Sequence, residues 1–213
     1  MIQTVKFFLL EEWKGKYAIA GAFLHIFTAV LITFLALPGM DKPHFSAIFW
    51  IVVIFTTLQG ISRAFITMRK GSFVFWQQMI SPTVFLGARL ISSFLLMLVF
   101  TLFSYIVFTT IHGSVSETGW HFLIVSIFTG AGISSIFTIS SSMAVKTDNP
   151  GVLLPVLTFP VIIPVLLIGV KAGKNAIDGL GFSSFLPEIL LLTLLDILIV
   201  FLGLVLIKFV WKE

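Results

Sequence analysis

The chain has 213 residues and 13 lysines and arginines against 9 acids, for a net charge of +4; 58% of it is hydrophobic and only 10% is charged. Ordinary globular chains hold about 45–50% apolar and about 25% charged residues, and a soluble domain of this length has too little interior to hide the excess. A single membrane-embedded domain over 1–213 is therefore expected. The absence of cysteine excludes disulfides, thiol catalysis and thiolate metal ligation by this chain.

Residues 1–16 read as an interfacial helix. Ile2, Val5, Leu9 and Trp13 recur at helical spacing, with Gln3, Lys6 and Lys14 elsewhere on the turn. The other reading is an extension of the first span. A signal peptide is not expected, because Phe7–Leu10 is too short an apolar run and Glu11, Glu12, Trp13 and Lys14 follow it.

Six later segments are long and apolar enough to cross a bilayer: 17–38, 45–62, 84–111, 120–145, 150–170 and 186–209. Hydrocarbon cannot satisfy backbone amides, so these are predicted to be helices. Runs such as Leu190-Leu191-Leu192-Thr193-Leu194-Leu195 lack the alternation of a β-barrel strand. The basic residues read as topology signals rather than as a nucleic-acid surface. Ten of them (Lys6, Lys14, Lys16, Arg63, Arg69, Lys70, Arg89, Lys146, Lys208 and Lys212) belong to one set of connections, against Lys42, Lys171 and Lys174 in the other. This bias places both termini in the cytoplasm.

The first span contains His25, which reads either as a hydrogen-bonding partner of a neighbouring helix or as part of a polar intramembrane site. The connection 63–83 is too polar to span and too aromatic for a plain linker. A helix over 72–80 would bring Phe73, Trp76 and Ile80 to one face, next to Arg69, Lys70 and Gln77. Such a face suits docking into a partner's groove, although a helix lying on the membrane surface fits as well. The fourth span repeats small residues every four positions, at Ser126, Gly130, Ser134, Thr138 and Ser142. They form one face that favours close helix approach, within the chain or between two copies; a pore lining is the alternative. Pro155, Pro160 and Pro164 lie in the fifth span, where each removes an N–H donor and predicts a kink that could hinge or merely shape the helix. Asp196 lies near the middle of the last span. A carboxylate there costs roughly 2.5–3.5 kcal/mol on insertion scales, so it should face protein or water. It reads as a site on a path or as a hydrogen-bonded packing residue.

No nucleotide site is legible. The nearest text to a phosphate-binding loop, Gly169-Val170-Lys171-Ala172-Gly173-Lys174-Asn175, is one residue short and ends in Asn. Hydrolase motifs are absent, and no catalytic residue is expected. His44, His112 and His121 fall near the outer ends of spans, a level that would suit haem or a metal but equally suits imidazoles at an interface. No metal site is expected.

Three stretches resemble the CcmB family, the permease subunit of the cytochrome c maturation ABC transporter. They are the loop with Arg63, Phe65, Gly71 and Ser81-Pro82; the proline-rich run from Thr147 to Gly169; and Phe34-Leu35-Ala36-Leu37-Pro38. Met68, Arg69 and Lys70 stand where family members commonly carry acids, so ion pairs of that loop are not carried over. The resemblance implies an all-α, six-span permease of the ABC-2 (type II exporter-like) architecture in a bacterial inner membrane. It also implies a separate ATPase, CcmA, the membrane subunits CcmC and CcmD, and the haem chaperone CcmE. The work done would be haem export or release of the haem-loaded chaperone, and ATP would act only through the partner. A permease exporting lipid or drug-like molecules, a non-transporting scaffold, and a homodimer of such chains remain open readings.

Overall fold

The computed structural model describes residues 2–14, 16–66, 78–113, 119–144, 147 and 149–212. Among them the secondary structure is entirely helical: α1 (Ile2–Lys14), α2 (Lys16–Ala36), α3 (Lys42–Ile66), α4 (Pro82–His112), α5 (Gly119–Ala144), α6 (Pro150–Ile177), a 3-10 turn (Phe182–Ser184) and α7 (Leu186–Lys212). Six of these, α2 to α7, are long and apolar enough to cross a membrane.

The helix boundaries follow from local chemistry. Asp41 caps α3, accepting the His44 backbone N–H at 3.2 Å. α4 and α6 each open on a proline, whose missing N–H needs no partner in a first turn. Gly113, at φ 81°, ends α4 in a conformation that an L side chain resists. The fifth span was expected to stop at 170, yet α6 runs on to Ile177. Lys171 and Lys174 end the apolar run but not the helix, because lysine is a good helix former. The stop comes at Asp178, whose N–H bonds to the Lys174 carbonyl at 2.9 Å, followed by Gly179 at φ 76°.

α5 is the innermost helix. Buried residues make up 67% of its span, against 17% of α2 and 22% of both α6 and α7. It packs against α3, α4, α6 and α7, while α2 packs on α3 and α4. At the Lys42 end, edge-on rings join α3, α4 and α5: Phe49 meets Phe122 at 5.0 Å, and Phe45 meets Phe108 at 5.4 Å. Pairs of this kind contribute about 0.5–1.5 kcal/mol each beyond their burial.

α1 packs mainly on α4. Its buried face centres on Phe8, which lies off the stripe of Ile2, Val5 and Leu9. Ile2 is 87% exposed, whereas Phe8 is fully buried. The Phe8 ring stands edge-on to Phe85 at 5.4 Å, and the Arg89 guanidinium carbon lies 5.1 Å from its centroid. Docking against a neighbouring helix rewards the residue that fills a gap, which a hydrophobicity stripe does not register.

Candidate functional site

Asp196 lies on the inward side of α7. A Cβ added at Gly132 of α5 would collide with the Asp196 carboxylate and come within 3.0 Å of Val165 Cγ1 on α6. The bare glycine thus makes the room that the carboxylate occupies. Asp196 Oδ1 is buried and has no hydrogen-bond partner among the described residues. His25 Nε2 on α2 is likewise buried without a partner. The two do not form one site, since Asp196 abuts α5 and α6 while α2 packs on α3 and α4.

The five small residues of α5 are all buried inside the chain. Their hydroxyls turn back on their own helix: Ser126 donates to the Phe122 carbonyl at 2.7 Å, Ser134 to Ala131 at 2.9 Å, Thr138 to Ser134 at 2.7 Å, and Ser142 to Ile139 at 2.7 Å. Gly130 admits α4, because a Cβ there would meet Met97 Cε at 2.9 Å. Opposite α5, α4 carries buried Ser93, Thr101 and Ser104 hydroxyls that lack partners among the described residues. The hydroxyls of this α5 face are thus satisfied within their own helix, while those three of α4 are not.

Sequence reasoning missed Gly132, Gly169 and Glu188. Gly169 of α6 lies against Thr129, and an added Cβ would fall 3.0 Å from the Thr129 Cβ. Glu188 is buried and pairs with Lys171 at 3.0 Å, closing the start of α7 onto the end of α6. The four-residue period of Ser126 to Ser142 drew attention to one face of α5; Gly132 lies off that period. Glu188 follows Pro187 at a span edge, where an acid is ordinary, so nothing in the sequence marked it as paired.

Pro155, Pro160 and Pro164 all lie within α6, which stays helical from Pro150 to Ile177. Each leaves the carbonyl four residues earlier without its usual backbone donor. Of the proposed coupling residues, Arg69, Lys70, Phe73, Trp76 and Gln77 lie outside the described residues; Ile80 is half-buried just ahead of Ser81.

At the Lys42 end, His44 and its backbone N–H hydrogen-bond the Asp41 carboxylate, mainly through the ring, which holds that carboxyl below its ordinary range. His112 stacks on Phe108 at 5.7 Å and meets Phe34 edge-on at 5.7 Å. His121 packs against Phe185 at 5.2 Å. No group of three His, Cys, Asp or Glu residues that could hold a metal occurs among the described residues.

Six membrane-length helices around a polar-seamed interior define a multi-pass helical membrane protein. Residues 13–207, nearly the whole chain, match the CcmB protein family, and the chain belongs to it. No curated protein matches the sequence. Family and fold together are consistent with the membrane permease of an ABC transporter for cytochrome c maturation.

Proposed function

We propose that the chain couples ATP hydrolysis in a separate ATPase subunit to haem export, or to release of the haem-loaded chaperone, during c-type cytochrome assembly. The observation that carries this reading is the family match over 13–207 on a six-span helical fold. CcmA is the proposed ATPase, with CcmC, CcmD and CcmE as further partners. The proposed location is the bacterial inner membrane, with both termini cytoplasmic. The bias of ten basic residues against three supports that orientation.

In this mechanism the segment 72–80 receives the ATPase, and its motion shifts the spans between two arrangements. A partner or ligand moves such an equilibrium only by binding the two arrangements with different affinity. Asp196, His25 and the α6 prolines are proposed to respond to that shift rather than to start it. Replacing Phe73 and Trp76 with Glu is expected to abolish co-purification with the ATPase and assembly of c-type cytochromes. Retention of both would refute the docking role. Should deletion of the chain leave c-type cytochromes intact, the function belongs to another class of exported substrate.

A further inference from the structure

A cavity of about 410 Å³ lies between the first half of α3 and the last half of α6. Its walls are apolar, and Ile51 and Val170, exposed by 54% and 40%, stand on the outer surface of the bundle. Lys42, Lys174 and Asp178 line it at the span ends. Lys42 reaches Asp178 at 4.0 Å, and among the described residues Lys174 has no acidic partner. Two cations face one anion, so an excess positive charge is left over.

Two buried donors line the same cavity. Ser46 and Trp50 are 5% and 2% exposed, and neither Ser46 Oγ nor Trp50 Nε1 has a hydrogen-bond partner among the described residues. Buried polar groups are nearly always paired, and an unmade bond costs about 1–3 kcal/mol. The Trp50 indole N–H calls for an acceptor, and the Ser46 hydroxyl can donate to the same kind of group. We propose that the cavity binds one anionic phospholipid, with an acyl chain along the apolar wall. The lipid's phosphate would sit at Lys174 and Lys42, and its ester oxygens would accept from Ser46 and Trp50.

The chemistry favours this occupant over others. A zwitterionic lipid would bring a second positive charge towards Lys174. Haem is also apolar with anionic groups, but none of the lining residues is the His, Met, Cys or Tyr that ligates haem iron. The inference holds for either orientation in the membrane and does not depend on the transport reading.

The test is native mass spectrometry of the intact protein, taken from vesicles of equimolar phosphatidylglycerol and phosphatidylcholine with identical acyl chains. The wild type is expected to retain phosphatidylglycerol in excess. A Lys42→Gln/Lys174→Gln variant should retain the two lipids equally. Ala47→Trp, which fills the cavity from its lining, should lose the bound lipid while keeping its helical circular dichroism. Equal retention by the wild type overturns the proposal. So does a phosphatidylglycerol preference that survives in the lysine variant or in a folded Ala47→Trp protein. Displacement of the lipid by added haem in the wild type alone would reassign the cavity to haem. If Ala47→Trp does not fold, the lysine variant decides.

Discussion

The space that one residue vacates for another is clearest at Gly132. Its missing Cβ is the room in which the Asp196 carboxylate sits, with Val165 closing the third side. Gly132→Ala should therefore lower the thermal stability of the purified protein by about 1–3 kcal/mol, the usual cost of overpacking. Combining it with Asp196→Ala should recover much of that loss, and a double-mutant cycle measures the coupling. Strictly additive effects would place the two side chains apart. Asp41 makes a second prediction at this scale. Its carboxyl is held below its ordinary value by the hydrogen bond from the His44 ring, so its contribution to the start of α3 is present above the unfolded value. That contribution fades as pH falls through the lower folded value. A carboxyl titration of wild type against His44→Ala should show the Asp41 midpoint rising in the variant. Asp196 itself was legible in the sequence because a carboxylate amid leucines is costly. Gly132, which makes the carboxylate tolerable, was not, because a glycine in a small-residue helix carries no mark of what faces it.

Between elements, one ion pair joins two successive helices. Lys171 and Glu188 join the end of α6 to the start of α7 at 3.0 Å. Lys171 is mostly exposed and Glu188 mostly buried. Removing the lysine strands a buried carboxylate, whereas Glu188→Gln removes the charge itself. Lys171→Ala should accordingly destabilise the protein more than Glu188→Gln in detergent melts; the reverse order would show that the pair does not hold the two helices. α2, α4 and α5 begin and end within two residues of the apolar runs at 17–38, 84–111 and 120–145. The run at 150–170 understated α6, because hydropathy marks where lipid ends and says nothing of where backbone hydrogen bonding stops. The apolar stripe of α1 does not include Phe8, which docks on Phe85 and Arg89 of α4, because periodicity alone does not show which face a neighbouring helix covers.

For the whole molecule, the count of spans was the most secure reading, since about 20 apolar residues have few alternatives to a membrane helix. Orientation rests on the charge bias and is open to direct measurement. The chain contains no cysteine, so single introduced thiols report without background. Leu180→Cys should react with a membrane-impermeant maleimide added to intact spheroplasts. Ser81→Cys and Asn149→Cys, all three sites being exposed, should react only after permeabilisation. The opposite pattern would invert the topology and put the docking segment proposed at 72–80 out of reach of a cytoplasmic ATPase. The interior packing was not legible at this scale. Which spans touch depends on small residues and hydroxyls distributed over all of them, and a linear pattern cannot pair them.

The back-bonded hydroxyls of α5 carry one more consequence. Because Ser126, Ser134, Thr138 and Ser142 spend their donors on their own carbonyls, none of these four bonds ties α5 to a neighbouring helix. Contacts there are made by shape, and shape contacts can be exchanged one turn at a time without a directional bond being broken. These contacts are nonetheless specific: Gly132 makes room for Asp196, Gly130 admits Met97, and Phe122 packs on Phe49. Exchanging them means moving those side chains out of their gaps, so any change of register around α5 costs packing rather than hydrogen bonds.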